Sequence, residues 1–204
     1  EKLAHYANAA ADIEFKFPFG FKELEGIHSR TDFDLGAHEK YSGRKLQYFD
    51  PERNETYVPY VVETSIGLDR MFLALFSHCL KNEVLEDGSE RVVLALPPAL
   101  APVKAAILPL VKKDGLPELA EKIFNDLKYD FNIISEEKDS IGKRYRRQDA
   151  IGTPFCITVD HDSLADGTVT LRERDTMKQE RVKIEDLRKI IDDKVNFRTL
   201  LSKI

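Results

Sequence analysis

The sequence predicts a chain of two parts, an α+β part followed by an α/β part, and three observations support this. In the first part, alternating apolar and polar residues predict strands, and a strongly apolar helix follows them. In the second part, apolar strands alternate with helices, which is typical of a mixed or mainly parallel sheet covered by helices. The polar, turn-forming residues 81–90 separate the two, so we predict domains at 1–86 and 87–204.

Composition limits the function classes. A length of 204 residues allows one large or two small domains. Hydrophobic residues make up 42% and charged residues 33%, and no apolar run is long enough to span a membrane, so a globular protein without a membrane partner is predicted. The net charge of -5 argues against a protein that coats nucleic acid by bulk attraction. Any contact with nucleic acid would therefore need a local basic patch.

The cysteines and histidines do not indicate a metal site. Cys79 and Cys156 both lie in apolar runs, which is typical of reduced, buried core cysteines. Five histidines are scattered without the spacing of metal ligands, so none is assigned to a metal.

The first part is predicted to be built from short strands. Residues 1–11 are predicted to be the end of a helix whose beginning is missing, so we expect the chain to be a fragment. Residues 12–19 and 21–27 are predicted strands, and residues 38–57 a loop or hairpin insertion with a short strand. A strand near 61–65 then turns at Gly67 into a helix that continues to Leu80.

The helix after Gly67 has its apolar residues at helical spacing and further apolar residues on the other side, so we predict burial nearly all round. Glu63, Asp69 and Arg70 lie close to this apolar segment. Charges there are costly unless they are paired or bind a ligand. Glu63 and Arg70 could pair with each other or with neighbours, or they could form a ligand site.

The second part has a longer series of elements. The predicted helices cover 102–113 (kinked at Pro109), 117–128, 140–150 and 185–200. The predicted strands cover 91–96, 131–135, 155–160, 167–174 and 179–182. We therefore predict a five-stranded sheet with three or more helices.

Two charged patterns are candidates for function. Glu23 and Glu25 are predicted to share one face of a strand, where the simpler interpretation is solvent exposure on an antiparallel sheet. The run Lys143–Arg147 places four cations around Tyr145. It could be a solvated helix face, or it could contact the bases and phosphates of RNA, with Arg172 and Arg174 extending the patch.

Several stretches resemble one enzyme family. The sequence E-T-S-I-G-L-D-R (63–70) resembles the third signature motif of class II aminoacyl-tRNA synthetases, in the form found in homodimeric glycyl-tRNA synthetases. E-L-E-G-I (23–27) and R-T-D-F-D-L (30–35) resemble the catalytic domain of the same enzymes. I-G-K-R-Y-R-R-Q-D-A-I-G-T-P-F (141–155) and T-V-T-L-R-E-R-D-T-M-K-Q-E-R-V (168–182) resemble the anticodon-binding domain shared by glycyl, histidyl, threonyl and prolyl synthetases.

The resemblance implies a fold and an activity. The fold would be part of an antiparallel-sheet catalytic domain, followed by an anticodon-binding domain with a mixed five-stranded sheet flanked by helices. The parent enzyme would join glycine to ATP, with Mg²⁺ as activator, and then transfer the glycyl group to tRNA(Gly). The resemblance also implies a homodimeric full-length enzyme in the cytoplasm.

The resemblance further implies roles for single residues. Those implied to bind glycine are Glu63, Thr64, Ser65, Ile66 and Gly67. Those implied to bind ATP are Glu23, Leu24, Gly67, Leu68, Asp69 and Arg70. Those that would contact the anticodon of tRNA are Arg144, Tyr145, Arg147, Gln148, Arg172 and Arg174.

The resemblance is incomplete. The family's first two motifs, one at the dimer interface and one supplying another ATP-binding arginine, are not found in these residues. We therefore expect the chain alone not to form glycyl-adenylate. Two alternatives stay open: a non-catalytic relative that serves as an accessory or nucleic-acid-binding subunit, and a synthetase for another amino acid.

Overall fold

The computed structural model describes residues 3–202. The chain divides into two compact units, the first ending at Ser77 and the second beginning at His78. This division falls earlier than residue 86 because the strand that follows Cys79 pairs with residues 90–94. The functional boundary between 86 and 87 stays a prediction.

The first unit contains a three-stranded antiparallel sheet. Its strands are β1 (Ala9–Phe17), β2 (Gly20–Ser29) and β5 (Val62–Ile66), in the order β1-β2-β5. The other elements are α1 (Phe33–Ser42), the hairpin of β3 (Tyr48–Asp50) and β4 (Glu55–Tyr57), and α2 (Leu68–Cys79). The antiparallel strands and the strand–glycine–helix junction at Gly67 were predicted from the sequence.

Three predictions for this unit are wrong. The predicted helix at residues 1–11 instead leads into β1, which begins at Ala9; residues 1 and 2 lie outside the described part. Residues 38–42, predicted as loop, belong to α1, which buries no residue and so leaves no apolar period to detect. The helix α2 is not buried all round: Leu68 is 82% exposed and Phe72 66% exposed, because this small unit has too few layers to cover every side of it.

The second unit is built on a mixed five-stranded sheet, as predicted. Its strands are β8 (Ala105–Pro109), β9 (Ile133–Ser135), β10 (Phe155–Val159), β11 (Thr168–Glu173) and β12 (Gln179–Lys183), in the order β12-β11-β10-β8-β9. The pairs of β8 with β9 and β10 are parallel, and the other two pairs are antiparallel. Around it lie α3 (Leu116–Leu127), α4 (Ile141–Ile151), α5 (His161–Asp166), α6 (Leu187–Val195) and α7 (Phe197–Leu201).

The number of strands was right, but one member was wrong. Residues 102–113, predicted as a helix, contain β8, which lies between β10 and β9 with all five residues buried. The predicted strand at 91–96 forms β7 (Glu90–Leu94), which pairs with β6 (Leu80–Val84) outside the main sheet. A short run that is apolar on both faces has no period, so the sequence alone could not separate strand from helix here.

The core of the second unit lies on both faces of the main sheet. Apolar residues of α3 and α6, such as Ile123 and Ile191, pack on one face. On the other face, Cys156 and Leu108 pack with Tyr145 of α4. Both cysteines are free and buried, as predicted, and burial raises the pKa of Cys156 to about 12.

The predicted final helix at 185–200 is interrupted. It is divided at Asn196, whose side-chain oxygen accepts a hydrogen bond of 2.7 Å from the backbone of Thr199 and begins α7. Among residues 3–202, no helix has both the length and the apolar character needed to cross a membrane.

Candidate functional sites

The first candidate site is one face of the three-stranded sheet. In the antiparallel pair of β2 and β5, Gly26 lies opposite Ser65, and His28 lies opposite Glu63. Residues directly opposite each other project to the same face, so His28, Glu63 and Ser65 share it. Thr64 and Ile66 project to the other face with their partners on β2.

A β-bulge brings Glu23 to this face. In the pair of β1 and β2, Ile13 lies opposite Glu25 but Glu14 lies opposite Glu23, so Leu24 is an extra residue. The extra residue reverses the alternation of side chains. The prediction that Glu23 and Glu25 share a face is therefore wrong. A Cβ added to Gly26 would lie 3.6 Å from Oε1 of Glu23 and 3.0 Å from the His28 ring, so both side chains are on the Gly26 face.

Arg30 was missed by the sequence reasoning and organises this face. Its Nη1 donates to Oε2 of Glu63 at 2.5 Å, and its Nε and Nη2 donate to Asp34 at 2.5 and 3.1 Å. Its guanidinium carbon also lies 4.1 Å from the centre of the Tyr6 ring. The hydrogen bond from Arg30 is the main cause that lowers the pKa of Asp34. The i, i+4 spacing of Arg30 and Asp34 was the available signal.

Arg70 is held at the other end of the site. Its Nη1 donates to the backbone oxygen of Glu23 at 2.5 Å, and a Cβ on Gly67 would lie 3.6 Å from the Cβ of Arg70. The structure thus brings Arg70 close to Glu23, while Glu63 is paired with Arg30. Leu68, Asp69 and Arg70 itself are exposed at the start of α2.

The second candidate site surrounds α4, where the predicted RNA contacts have different environments. Arg144 is 2% exposed, and its guanidinium donates to the backbone oxygens of Pro109, Glu136 and Leu110 at 2.7, 3.1 and 3.2 Å. Burial lowers its pKa. Arg144 therefore ties α4 to the segments around β8 and β9, and its burial leaves it inaccessible to RNA.

Two more of the predicted contacts are buried arginines. Arg172 donates two hydrogen bonds, of 2.8 and 3.0 Å, to the carboxylate of Asp149. Arg174 donates to the backbone oxygens of Gly152 and Leu96 at 2.8 and 2.7 Å, and to Asp175. Hydrogen bonds inside the domain occupy both side chains.

The other three residues predicted to contact RNA lie in three different environments. Gln148 is buried and accepts a hydrogen bond of 2.8 Å from Thr153. Arg147 is partly exposed but is bound by Glu136 and Asp139, at 2.5 and 2.9 Å. Tyr145 is partly buried, and its hydroxyl lies 2.6 Å from that of Thr158. An RNA contact by these residues stays a prediction.

An open concavity of about 340 Å³ lies beside these residues. It is lined by Gly142, Lys143, Tyr145, Arg146, Arg172, Met177 and Gln179. Tyr145 and Arg172 belong to the predicted set, whereas Lys143 and Arg146 were seen in the basic run but not assigned. Lys143 is exposed, and the Arg146 side chain is 40% exposed. The concavity combines cations with an aromatic ring, and Met177 and Gln179 extend it to the β11–β12 hairpin.

Comparisons first define the class of the second unit. Residues 104–194 match the family model described as "Anticodon binding domain". The chain resembles the structure of the RNA binding domain of threonyl-tRNA synthetase from Cryptosporidium parvum, with a TM-score of 0.64 at 20% identity over 91% of this chain and 42% of that one. It also resembles Giardia lamblia prolyl-tRNA synthetase, with a TM-score of 0.63 at 20% identity over 97% of this chain and 41% of that one. The second unit has the anticodon-binding fold of aminoacyl-tRNA synthetases.

Sequence similarity then identifies the particular group. The chain is 59% identical over 182 residues to the glycine–tRNA ligase of Chlorobaculum tepidum, covering 89% of this chain and 38% of the relative. It is 54% identical over 201 residues to the glycine–tRNA ligase of Clostridium perfringens, covering 97% of this chain and 43% of the relative. The chain thus spans about two fifths of the length of these relatives. The resemblance to glycyl-tRNA synthetases is confirmed over nearly the whole chain.

Proposed function

We propose that the chain is part of a glycine–tRNA ligase, with the first unit contributing to the aminoacylation site and the second binding the anticodon of tRNA(Gly). One observation carries the first half: the bulge and the register place Glu23, Glu63 and Ser65 on one sheet face, with Arg70 bound to the backbone of Glu23. A non-catalytic relative would have no need for this arrangement.

The glycine site follows from charge and space. Glu63, whose side chain is 37% exposed, and Ser65 would accept hydrogen bonds from the ammonium of glycine. Arg30 donates a hydrogen bond to Oε2 of Glu63 and so fixes the orientation of the carboxylate. The space around Gly26 is so tight that an added Cβ would lie 3.0 Å from His28. The His28 ring would therefore leave little room beside Gly26 for a substrate side chain, which would favour glycine. Thr64 and Ile66 would act only through their backbone, while Gly67 leads the chain to Arg70.

The ATP site would lie toward Arg70. A guanidinium at the start of α2 suits the phosphates of ATP, together with Glu23, Leu24, Gly67, Leu68 and Asp69. Residues 3–202 contain no group of three or more side chains that could hold a metal ion by themselves. Mg²⁺ would therefore be bound with phosphate oxygens of ATP among its ligands, as is usual for this ion.

The chain alone would not form glycyl-adenylate, because no second ATP-binding arginine motif is found in its 204 residues. Glycine-dependent exchange of pyrophosphate into ATP, measured with the purified chain, tests this. Exchange above the background of a sample without glycine would overturn it.

The glycine site is tested by replacing one carboxylate on each face of the sheet. In a ligase that contains this chain, Glu63→Gln should lower glycine-dependent ATP–pyrophosphate exchange about 10- to 100-fold, because a charge-assisted hydrogen bond to the ammonium is lost. Glu25→Gln makes the same change of charge on the opposite face and should leave exchange near the wild-type value. Equal losses in both variants would contradict the assignment.

The anticodon surface would be the concavity beside α4. Lys143 and Arg146 lie on its rim, where exposed cations can meet phosphates, and its floor contains an aromatic ring for an unstacked base. This moves the proposed phosphate contacts from the buried Arg144 and Arg174 to Lys143 and Arg146, while Arg172 stays in the lining of the concavity.

A pair of double variants tests this surface. Lys143→Ala/Arg146→Ala should weaken binding of tRNA(Gly) about tenfold. The slope of log K against log salt concentration should fall by about two, as expected for the loss of two phosphate contacts. The matched control is Lys122→Ala/Lys189→Ala, which removes two exposed cations from α3 and α6, the helices on the other face of the sheet. Equal weakening by both pairs would mean that the overall charge of the domain, and not this surface, determines binding, and it would overturn the assignment.

A further inference from the structure

The carboxylate of Asp149 is the most deeply buried charge beside the concavity. It is 0% exposed and lies on α4. Its Oδ1 accepts from Arg172 at 2.8 Å, and its Oδ2 accepts from Arg172 at 3.0 Å and from Arg91 at 3.1 Å. A fully buried carboxylate that receives two parallel bonds from one guanidinium fixes both groups in a single geometry.

The residues that Asp149 holds form part of the concavity. The guanidinium of Arg172 lies 4.8 Å from the centre of the Tyr145 ring, and both residues line the floor. Burial, the largest single cause, lowers the pKa of Arg172, but the hydrogen bond to Asp149 and the Coulomb attraction of nearby groups together raise it by more, so the floor keeps its cation. Arg146 on the rim is the third arginine beside the carboxylate, at 4.0 Å. One buried side chain therefore contacts both the floor and the rim.

The other contacts of Arg91 distinguish its role from that of Arg172. Arg91 has a second partner, Glu83, at 2.7 Å from its Nε, and also donates to the backbone oxygen of Arg174. Arg91 does not line the concavity. Loss of Arg91 would leave the two bonds between Asp149 and Arg172 in place.

We propose that Asp149 is a positioning residue for RNA binding: its carboxylate fixes Arg172 over the Tyr145 ring and restrains Arg146, so that the concavity is preformed for one nucleotide. This inference rests on the proposed function, since it assumes that the concavity is the RNA surface. A preformed site spares the ordering of side chains on binding and therefore binds more tightly.

The sign of the charge effect distinguishes positioning from simple attraction. Asp149→Asn removes a negative charge from beside an RNA surface, which by Coulomb attraction alone would strengthen binding. Loss of a preformed floor weakens binding instead. The two accounts therefore predict opposite changes in affinity from the same substitution.

The experiment measures binding of a tRNA(Gly) transcript to the chain and its variants at two salt concentrations, with thermal unfolding as a check on folding. Asp149→Asn should weaken binding about tenfold. Arg172→Lys keeps the charge but cannot form the paired bonds, and should weaken binding to a similar degree. The double variant should lose no more than either single variant, since the two residues act as one unit. Arg91→Met should lower the unfolding temperature and leave the affinity unchanged.

The outcomes separate the two proposals. If the wild-type chain does not bind the transcript, the proposed function fails and this inference fails with it. If wild type binds and Lys143→Ala/Arg146→Ala weakens binding, but Arg172→Lys and Asp149→Asn bind within twofold of wild type or more tightly, only the positioning role is overturned. If Asp149→Asn does not fold, Arg172→Lys decides alone: unchanged affinity overturns the proposal, and weakened affinity with an unchanged salt dependence supports it.

Discussion

The open sheet face of the first unit and the α4 side of the second unit contain the same kind of ion pair but differ in how far it is buried. Both contain arginines paired with carboxylates at hydrogen-bonding distance. In the first unit, Glu63 keeps about a third of its side chain exposed, so one side of the carboxylate stays open to a ligand. In the second unit, Asp149 and Arg172 have almost no exposed surface.

The difference teaches that burial, and not residue type, decides whether a paired charge is open to solvent or held inside the domain. A buried ion pair contributes little net stability, but removal of one partner is costly because the other is left unpaired. An exposed pair costs little to break and is free to exchange a partner for a ligand. The arginines around α4 include both kinds within a few residues.

The largest expected effect is on stability in the second unit. Arg144→Met should lower the free energy of unfolding by about 2–4 kcal/mol, because one buried and two partly buried hydrogen bonds to backbone oxygens are lost. Urea unfolding followed by circular dichroism measures this. Arg147→Met, on the same helix but partly exposed, should change it much less. Similar values for both would remove the distinction between buried and exposed arginines.

The next effect tests the backbone that ends α4. Gly152 has φ of +87°, and an added Cβ would lie 3.1 Å from the backbone oxygen of Leu94. Gly152→Ala should therefore cost about 1–3 kcal/mol. Gly142→Ala, in the same helix with nothing within 4 Å of the added carbon, should stabilise the unit by up to about 1 kcal/mol. Opposite signs in urea unfolding would show that the positive φ and close contact at Gly152, and not loss of glycine itself, are responsible.

A smaller effect is expected in the first unit. Arg30→Met should reduce the free energy of unfolding only slightly, since the Arg30 and Glu63 side chains are both partly exposed. Hydrogen exchange of the β5 amides is the local measurement. A loss as large as that of Arg144→Met would mean that Arg30 is a structural residue like those of the second unit, and would weaken the comparison.

The smallest effect is the pH dependence of the Arg30–Asp34 pair. The pKa of Asp34 is lowered, mainly by the hydrogen bond from Arg30. The pair therefore stabilises the folded state at pH values above the ordinary pKa of an aspartate. That contribution is lost as the pH falls through the lowered pKa of Asp34. A carbon-detected NMR titration of Asp34 should give a midpoint below that of an unperturbed aspartate, and Arg30→Met should restore the ordinary value. An unchanged midpoint in the variant would assign the shift to another cause.

Much of the molecule followed from sequence because local patterns and tertiary environment agree there. The helices α3 and α4 and the β11–β12 hairpin were predicted with nearly correct bounds, because amphipathic spacing and turn residues both indicate them. The motif at 63–70 placed a strand, a glycine turn and a helix correctly, and the relatives confirm the family that it indicated.

The chain by itself therefore determined the class of fold, the number of strands in the main sheet and the kind of protein. Only the tertiary structure decided which strand lies between β10 and β9 in that sheet, which face Glu23 projects to, and which arginines are buried. These depend on pairing register and on layers contributed by distant segments. A single inserted residue in a strand reverses its faces, and a helix covers or exposes a side chain, without leaving a periodic signal in the local sequence.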